Sequence, residues 1–173
     1  MDLETLLAKQ EIGDVIYRYA RGIDRLDFDL VRSCYHPDAV DDHGAFKGNV
    51  DEFIEMCREF LPRWTATMHF MGNVLIDEID GTAARAETYA VAYHRREATE
   101  NSEGKDDVFG IRYVDRFEKR EGRWRIAHRI VATEWRRVDP VKAKNSRGAV
   151  GAWGTRDGND VIDWIMDAQA TVA

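Results

Sequence analysis

His69 is the side chain in this sequence best suited to acid–base chemistry. It lies in the run Met68-His69-Phe70-Met71, where apolar neighbours lower the local dielectric constant and keep an unpaired imidazole neutral. A neutral imidazole accepts a proton well when a carboxylate holds its other ring nitrogen and stabilises the imidazolium. A lone histidine in apolar surroundings is also commonly a hydrogen-bonded core residue, so His69 predicts a general base only if it has a partner.

Asp24 is the carboxylate that we expect to be this partner. It follows Gly22 and Ile23 at the end of the first amphipathic stretch, where the chain turns back under the predicted sheet. Asp27 and Asp29 are better placed to cap the next helix, which leaves Asp24 less explained by local structure. Hydrogen bonding at the helix end is the structural alternative for Asp24.

A row of small side chains leads along one predicted strand to a second histidine, His94. Strand alternation places His94 on the same face as Ala90 and Ala92, and from residue 82 onward that face otherwise holds only alanine and threonine. Such a face indicates either a closely packed helix or an open cavity, and close packing is the commoner use.

Other chemical signatures are weak or missing. Asp41, Asp42 and His43 offer oxygen and nitrogen donors that suit a metal ion, but consecutive strand residues point to opposite faces and do not all converge. The sequence has no glycine-rich phosphate loop, no G-x-S-x-G elbow and no C-x-x-C pair. We therefore expect neither a metal ion nor an organic cofactor.

The hydrophobic periodicity predicts three helices before the long strands. These helices cover about residues 3–23, 27–35 and 50–60. Gly22 gives the first helix an ending signal, Asp27 is a candidate N-cap for the second, and Pro62 ends the third. Residues 38–48 are predicted to form an irregular strand and turn.

From Thr65 onward the pattern changes to the two-residue period of strands. Four long strands are predicted, at about 66–79, 82–97, 107–119 and 123–137. Asp80-Gly81 and Glu121-Gly122 are hairpin signals of the type I′ kind, and residues 101–106 form a polar loop. Consecutive strands should pair antiparallel, so the order of elements predicts an α+β fold with helices on one face of a curved sheet.

The last part of the chain is predicted to be an arm. Residues 138–158 are polar and rich in glycine, and a short helix is predicted from Asp160 to Ala170. The apolar stripe of that helix must be covered, either by a neighbouring subunit or by the chain's own sheet.

The composition is that of one folded domain, and the net charge disfavours binding to nucleic acid or to anionic membranes. The 173 residues are 44% hydrophobic, and the formal net charge of −7 gives no attraction to nucleic acid or to anionic membranes. The charged residues between Arg116 and Arg129 mostly alternate with apolar residues, as on the solvent-exposed face of a strand.

Cys34 and Cys57 lie in amphipathic stretches, which predicts buried thiols in a reducing compartment. Because the sequence has no signal peptide and no long apolar run, we predict a cytoplasmic protein.

Three short motifs, taken with this order of elements, resemble the SnoaL-like branch of the NTF2-like superfamily. The motifs are Tyr17-Arg18-Tyr19-Ala20-Arg21-Gly22-Ile23-Asp24, Met68-His69-Phe70 and Glu121-Gly122-Arg123-Trp124-Arg125-Ile126. The resemblance covers about residues 3–137 and implies an NTF2-like cone, in which three N-terminal helices pack on a curved antiparallel sheet around a cone-shaped pocket. It divides the chain into a SnoaL-like domain at 1–137 and a C-terminal arm with a short helix at 138–173.

Within that branch the chain is most similar to lyases, namely the scytalone dehydratases, the bile acid 7α-dehydratases and the hexachlorocyclohexane dehydrochlorinases. The resemblance implies that Asp24 and His69 form a catalytic His–Asp dyad. It also implies that Arg129 is an active-site arginine, which would stabilise negative charge on a leaving group or enolate. Tyr19 and His94 match further catalytic positions of the dehydratases.

Arg129 also has a structural alternative to this role. Alternation puts Arg129 on the face opposite Trp124, Ile126 and His128. An exposed strand arginine is therefore an equal alternative, because most arginines are surface residues.

The resemblance predicts a cofactor-independent lyase of the dehydratase or dehydrohalogenase type. Tyr17, Trp64 and Phe70 are expected to line an apolar pocket that takes a hydrophobic, cyclic substrate. A homo-oligomer, dimer or trimer, is implied by the same resemblance. Two other classes stay open, a proton-shuttling isomerase and a non-catalytic binding protein, because a fold does not determine a function.

Overall fold

The structure is a computed structural model that describes residues 2–141, 154–158 and 160–165. Its helices are α1 at Leu3–Arg25, α2 at Phe28–Ser33, α3 at Val50–Phe60 and α4 at Val161–Trp164, with a 3₁₀ turn at Leu61–Arg63. Its strands are β1 at Tyr35–Asp42, β2 at Lys47–Asn49, β3 at Ala66–Asp77, β4 at Ala83–Arg96, β5 at Gly104–Arg120 and β6 at Arg123–Val141. Three helices thus precede the long strands, and the fold class is α+β, as predicted.

Helix α1 is longer than its sequence signal indicates. It runs through Gly22 to Arg25, and the C-cap residue Leu26 adopts a left-handed conformation with φ of 58°. A Cβ atom on Gly22 would lie 2.7 Å from Cγ2 of Val31, so this glycine allows α1 and α2 to approach closely. The helix-ending role predicted for Gly22 is therefore wrong, and Asp24 lies inside the last turn of α1.

Side-chain caps define the starts of the next two helices. Asp27 accepts a hydrogen bond from the Leu30 amide at 2.9 Å and caps α2, as predicted. Asn49 and Glu52 form a capping box at the start of α3. Helix α2 is shorter than predicted because Tyr35 pairs with Ile126 of β6 and begins a strand instead.

The sheet has six strands in the order β2-β1-β6-β5-β4-β3. The four long strands form the predicted antiparallel meander. The irregular segment predicted at 38–48 overlaps two strands, β1 and β2, and β1 pairs in parallel with β6. This parallel pair extends the sheet beyond the meander.

The two predicted hairpin turns differ in geometry. Glu121 and Gly122 both have positive φ, 52° and 74°, which is the requirement of a type I′ turn. At the other hairpin Gly81 has a positive φ of 91° but Asp80 does not, and the Asp80 carboxylate accepts hydrogen bonds from the amides of Thr82 and Ala83. The type I′ prediction for Asp80-Gly81 is therefore wrong, because an Asp-capped turn forms there instead.

The long strands curve around a concave face without closing into a barrel. Register shifts in β3, between Met71 and Val74, and in the β5–β6 pair bend the strands. Helix α1 packs closest to β3 and β6, the two strands that flank β4 and β5. The small side chains of β4, including the buried Ala90 and Ala92, therefore lie beneath the span of this helix.

The described part of the C-terminal arm docks on its own domain. Arg25 at the end of α1 contacts Asp160 at 3.2 Å, and its guanidinium donates to the Thr155 carbonyl oxygen at 3.4 Å. Of the helix predicted at Asp160–Ala170 the described residues contain one turn, Val161–Trp164, and residues 142–153, 159 and 166–173 lie outside the described residues. None of the helices in the described ranges has the length and apolar character that a membrane crossing requires.

Candidate active site

The side chains of His69 and Asp24 are hydrogen-bonded to each other inside the fold. Nδ1 of His69 lies 2.7 Å from Oδ1 of Asp24. The His69 side chain is 7% exposed and that of Asp24 is 12% exposed. The last turn of α1 supplies the carboxylate and β3 supplies the imidazole, as the sequence predicts.

Three donors hold the Asp24 carboxylate in one orientation. The His69 backbone amide donates to Oδ2 at 2.8 Å, and the Thr67 hydroxyl donates to Oδ1 at 2.9 Å. Burial raises the pKa of Asp24, but the hydrogen bonds and charge of His69, helped by Thr67, outweigh this effect and hold that pKa below its ordinary value. Thr67 was not among the predicted site residues, although alternation places residues 67 and 69 on one face of β3.

The contact with Asp24 determines which nitrogen of His69 can react. An ionised carboxylate only accepts hydrogen bonds, so Nδ1 of His69 must carry the hydrogen. This leaves the lone pair of the neutral imidazole on Nε2. The arrangement can take up a proton at Nε2, while the Asp24 carboxylate stabilises the imidazolium that forms.

His94 lies beside His69 on the same concave face. The two imidazole centroids are 5.5 Å apart, and the His94 ring also contacts Trp64 at 5.3 Å and Phe109 at 5.8 Å. Burial, followed by the nearby His69, lowers the pKa of His94 from 6.5 to about 4. His94 is therefore neutral at pH 7, and its buried Nδ1 has no hydrogen-bond partner among the described residues.

We expect the depressed pKa of His94 to make the fold less stable in mild acid. The unfolded chain binds this proton near pH 6.5, whereas the folded chain binds it only near pH 4. The contribution of His94 to stability is thus complete above pH 6.5 and is lost as the pH falls through this window, by on the order of 3 kcal/mol. Urea unfolding at several pH values should show that the free energy of unfolding declines less steeply with falling pH in His94→Gln than in the wild type. Identical pH profiles of the two proteins would contradict a lowered pKa of His94.

Trp64, predicted to bind substrate, borders this histidine pair. It is 7% exposed, and the Lys105 ammonium lies 5.1 Å from the centroid of its ring. Its indole Nε1 is buried and finds no hydrogen-bond partner in the described ranges. An unpaired indole N–H at this position is available to donate to a bound ligand.

The structure does not bring Tyr17 and Phe70 to the site as predicted. Tyr17 is 54% exposed on the outer side of α1. Phe70 is 65% exposed, because alternation along β3 turns it to the face opposite His69. The sequence pattern showed apolar surroundings but did not distinguish the two faces.

Arg129 is fully buried, contrary to the simple alternation of β6. Ala127 is an extra residue in the pairing of β6 with β5, and this bulge reverses the alternation after Ile126. Arg129 thus lies on the same face as Ile126 and is 0% exposed. Its guanidinium donates to both carboxylate oxygens of Asp115, at 2.7 Å each.

Tyr19 belongs to the surroundings of Arg129. The guanidinium carbon lies 4.1 Å from the Tyr19 ring centroid and 4.2 Å from that of Tyr113. Burial is the largest cause that raises the pKa of the Tyr19 phenol well above its ordinary value. Tyr19 and Arg129 therefore form a cluster that is distinct from the group of His69, Asp24, His94 and Trp64.

A second histidine–aspartate pair adjoins this arginine cluster. Nδ1 of His43 is hydrogen-bonded to Oδ1 of the fully buried Asp41, and the Tyr35 hydroxyl donates to Oδ2 at 2.7 Å. Asp42 points away and pairs with Lys47 at 3.2 Å. The predicted divergence of Asp41 and Asp42 is thus seen, but the pairing of Asp41 with His43 was not expected from the sequence.

Arg156 ties the C-terminal arm to the backbone of the site. Its guanidinium donates to the carbonyl oxygens of Asp24 at 3.0 Å, Trp64 at 2.7 Å and Leu61 at 3.3 Å. Burial lowers the pKa of Arg156 below its ordinary value. No sequence signal in the polar stretch at 138–158 singled out this residue.

We expect Arg156→Ala to lower the free energy of unfolding by about 1–3 kcal/mol, because three carbonyl groups lose a charged donor. Urea unfolding measures this loss. The matched control is Arg137→Ala, since the Arg137 side chain is 66% exposed and its change should stay within about 0.5 kcal/mol. Equal stability of Arg156→Ala and the wild type would show that the arm does not brace the site.

Solved structures with the same fold include several enzymes and a protein of unknown function. A candidate scytalone dehydratase from Novosphingobium aromaticivorans is 20% identical, with a TM-score of 0.71, covering 87% of this chain and 100% of that one. A hexachlorocyclohexane dehydrochlorinase of LinA type 3 from Novosphingobium barchaimii is 16% identical, with a TM-score of 0.69. The match covers 83% of this chain and 96% of that one. A protein of unknown function from Mycobacterium tuberculosis is 22% identical, with a TM-score of 0.57, covering 84% and 83%. At these identities the similarity establishes the fold.

The sequence itself matches one protein family. Among curated proteins, none matches the chain. The model of the SnoaL-like domain, in contrast, matches residues 4–130. This range runs from the first turn of α1 to Ile130 in β6. The chain therefore belongs to the SnoaL-like domain family.

Proposed function

We propose that this protein is a cofactor-independent lyase in which His69, held by Asp24, removes a proton from carbon. The hydrogen bond of 2.7 Å between Nδ1 of His69 and Oδ1 of Asp24 is the observation that carries the proposal. It leaves Nε2 as a base and places a carboxylate where the positive charge of the imidazolium develops. The neutral state of His94 also favours this role, because a second imidazolium at 5.5 Å would oppose protonation of His69.

The reaction is a β-elimination that needs no bound cofactor. His69 takes the proton, the C–H bonding electrons form the new carbon–carbon double bond, and the leaving group departs with its own bonding electrons. A substrate hydroxyl leaves as water when the proton that His69 has taken from carbon passes to it, and a chloride leaves as the anion while His69 later releases its proton to solvent. The neutral His94, with an N–H on one ring nitrogen and a lone pair on the other, is placed to hydrogen-bond the departing group.

The surroundings of the pair favour an apolar, cyclic substrate. Trp64 and Phe109 flank His94, while the methyl groups of Ala90 and Ala92 continue along the same face of β4. The unpaired Trp64 Nε1 adds one polar donor to this apolar surface. The names of the solved neighbours, a dehydratase and a dehydrochlorinase, point to the same class of reaction.

A screen of compound classes tests this function. Cyclic ketones, hydroxy-acyl compounds and chlorinated rings are incubated with the wild type, and the products are analysed by mass spectrometry. A lyase gives products that are lighter than the substrate by one water or one hydrogen chloride. The control variant is His128→Gln, because His128 lies on the face of β6 opposite Arg129. This variant should give the same products as the wild type.

Two other outcomes of the screen would contradict the lyase. A product of unchanged mass but altered double-bond position would assign a proton-shuttling isomerase, in which the same base returns the proton to another carbon. Binding of the compounds without conversion of any class would assign a non-catalytic binding protein.

Homo-oligomerisation and a cytoplasmic location are further parts of the proposal. The convex side of β3 and β4 exposes Met68, Phe70, Tyr89 and Val91, which together form an apolar surface of the kind that a partner subunit covers. Phe70 would then serve assembly rather than substrate binding. Sedimentation of the wild type should give the mass of a dimer or trimer, and a monomer at high concentration would contradict this part.

A further inference from the structure

Strand pairing places His69 and Arg136 in one row across the concave face. His69 on β3 pairs with Ala92 on β4. Ala92 pairs with Phe109 on β5, and Phe109 pairs with Arg136 on β6. Residues that lie directly opposite each other in an antiparallel sheet project from the same face. Arg136 therefore shares a face with His69, and their backbones are three strand spacings, or about 14 Å, apart.

The adjacent rows continue this face from His94 into a group of charged residues. His94 on β4 is the direct partner of Asp107 on β5. Two residues further along both strands, Arg96 is the direct partner of Lys105. Because side chains alternate along a strand, these four residues project from the face that holds the histidine pair.

Two cations lie on the two aromatic rings that flank His94. The Lys105 ammonium is 5.1 Å from the ring centroid of Trp64, and the guanidinium carbon of Arg136 is 5.0 Å from that of Phe109. These are the rings that His94 contacts at 5.3 Å and 5.8 Å. Each cation is thus separated from His94 by one aromatic ring.

Lys105 and Arg136 share a single carboxylate, that of Asp107. Arg136 donates to it through Nε and Nη2, at 2.8 Å each, and Lys105 donates at 3.0 Å. The hydrogen bond from Arg136 outweighs burial and holds the pKa of Asp107 below its ordinary value. One negative charge therefore faces two positive ones. Among the described residues, Nη1 of Arg136 has no hydrogen-bond acceptor, and this side chain is 52% exposed.

A third cation borders a cavity beside Lys105. This cavity of about 420 Å³ is lined by Arg96, Glu103, Gly104, Lys105, Val138 and Pro140. Arg96 forms no ion pair within the described ranges, and its buried Nε finds no acceptor there. The exposed Glu103 and the buried Asp107 are the carboxylates next to these three cations. The group thus has a formal surplus of one positive charge, although the whole chain carries −7.

We propose that Lys105 and Arg136 bind a carboxylate group of the substrate, with Arg96 adding to the attraction. Guanidinium and ammonium groups are strong donors to a carboxylate, and both side chains keep N–H groups that Asp107 does not use. A surplus of one positive charge matches a carboxylate and is too small for a phosphate dianion. The substrates are thus apolar, cyclic carboxylic acids rather than neutral rings.

The substrate carboxylate is an anchor and takes no part in the elimination. The inference rests on the proposed function, in which His69 removes a proton from the ring. An anchor at the β6 end of the row holds the ring across Phe109 and Ala92, so that one C–H group faces His69. Binding energy from such a remote group serves to orient the reacting carbon.

Binding of 2-naphthoate and 2-naphthamide tests the inference without any need for turnover. The two compounds have the same ring system and similar shapes, but only the naphthoate is charged. Isothermal titration calorimetry of the wild type at low salt should give a Kd for naphthoate that is at least about tenfold lower. Salt at about 0.5 M should reduce this preference, because it screens the charges. Equal Kd values for the two compounds at low salt would overturn the inference.

Lys105→Met removes one cation and keeps an apolar side chain on Trp64. Arg136 still pairs with Asp107, so the buried carboxylate is not left alone. The variant should bind naphthoate about fivefold to tenfold more weakly, and an unchanged Kd for naphthamide shows that it is folded.

The matched control is Arg137→Met, which removes a cation from the opposite face of β6. The Arg137 side chain is 66% exposed, and its loss should leave both Kd values unchanged. A preference for naphthoate that is as large in Lys105→Met as in the wild type would overturn the inference. An equal loss of the preference in Arg137→Met would also overturn it, because the attraction would then come from the general surface charge.

An NMR titration of the unmodified protein shows where the naphthoate binds. The imidazole signals of His94 should shift as naphthoate is added, and those of His128 should not. Unchanged His94 signals at saturating naphthoate would overturn the inference without the use of any substitution. The lyase proposal is judged separately, by the product screen, so that its failure can be told from the failure of this inference.

Discussion

Replacement of His69 by alanine is expected to lower kcat by about 10²- to 10⁴-fold on any compound that the wild type converts. The variant loses the imidazole that accepts the proton, while the apolar surface formed by Trp64 and Phe109 is kept. We therefore expect kcat and kcat/KM to fall by similar factors, as for an interaction made only in the transition state. Initial rates over a range of substrate concentrations measure both quantities.

Replacement of Asp24 tests whether the carboxylate and His69 act together. Asp24→Asn keeps the shape of the side chain but removes the charge that stabilises the imidazolium, so its loss should approach that of His69→Ala. Because the two residues act as one unit, the double variant should be no slower than His69→Ala alone. Losses that multiply in the double variant would contradict the paired mechanism. Thr67→Val, which removes one of three donors to the carboxylate, should have a smaller effect.

Asp115→Ala is expected to destabilise the fold by about 3–5 kcal/mol, the largest effect on stability that we predict. The substitution leaves the guanidinium of Arg129 fully buried without its bidentate partner. A loss of this size is a large part of the stability of an ordinary domain. Urea unfolding measures it directly.

A surface pair on the same two strands provides the control for Asp115→Ala. Arg112 donates to Glu134 at 2.7 Å, but these side chains are 29% and 44% exposed. Glu134→Ala should therefore change the free energy of unfolding by less than about 1 kcal/mol. The double variant Arg129→Met with Asp115→Leu should recover most of the stability lost in Asp115→Ala, because no unpaired charge remains. Equal losses in Asp115→Ala and Glu134→Ala would show that the buried pair is no more important than an exposed one.

The sequence predicted the elements that have strong local signals. Helix α3 has the predicted ends, because the capping box of Asn49 and Glu52 begins it and Pro62 follows it. The start of α2 followed from Asp27 in the same way. The strand β1 was only partly expected, because its parallel pairing with β6 depends on a contact between residues that are far apart in sequence.

The sequence predicted the residues of the candidate site where strand alternation is regular. It failed where a bulge interrupts the alternation. Alternation along β3 and the end of α1 were enough to bring His69 and Asp24 together. Arg129 was placed on the wrong face, since a single extra residue at Ala127 reverses the alternation of β6. Nothing local in the polar arm indicated Arg156, whose role arises from tertiary contacts with backbone carbonyl groups.

Release of label from carbon is the most direct test of proton removal by His69. A compound identified in the product screen is labelled with deuterium at the acidic carbon, and the deuterium that enters the solvent is measured with time. If His69 removes the proton, the wild type should release deuterium steadily and His69→Ala should release it at least about a hundredfold more slowly. This measurement follows the proton itself and does not depend on the fate of the leaving group. Release by His69→Ala at the rate of the wild type would contradict the central claim.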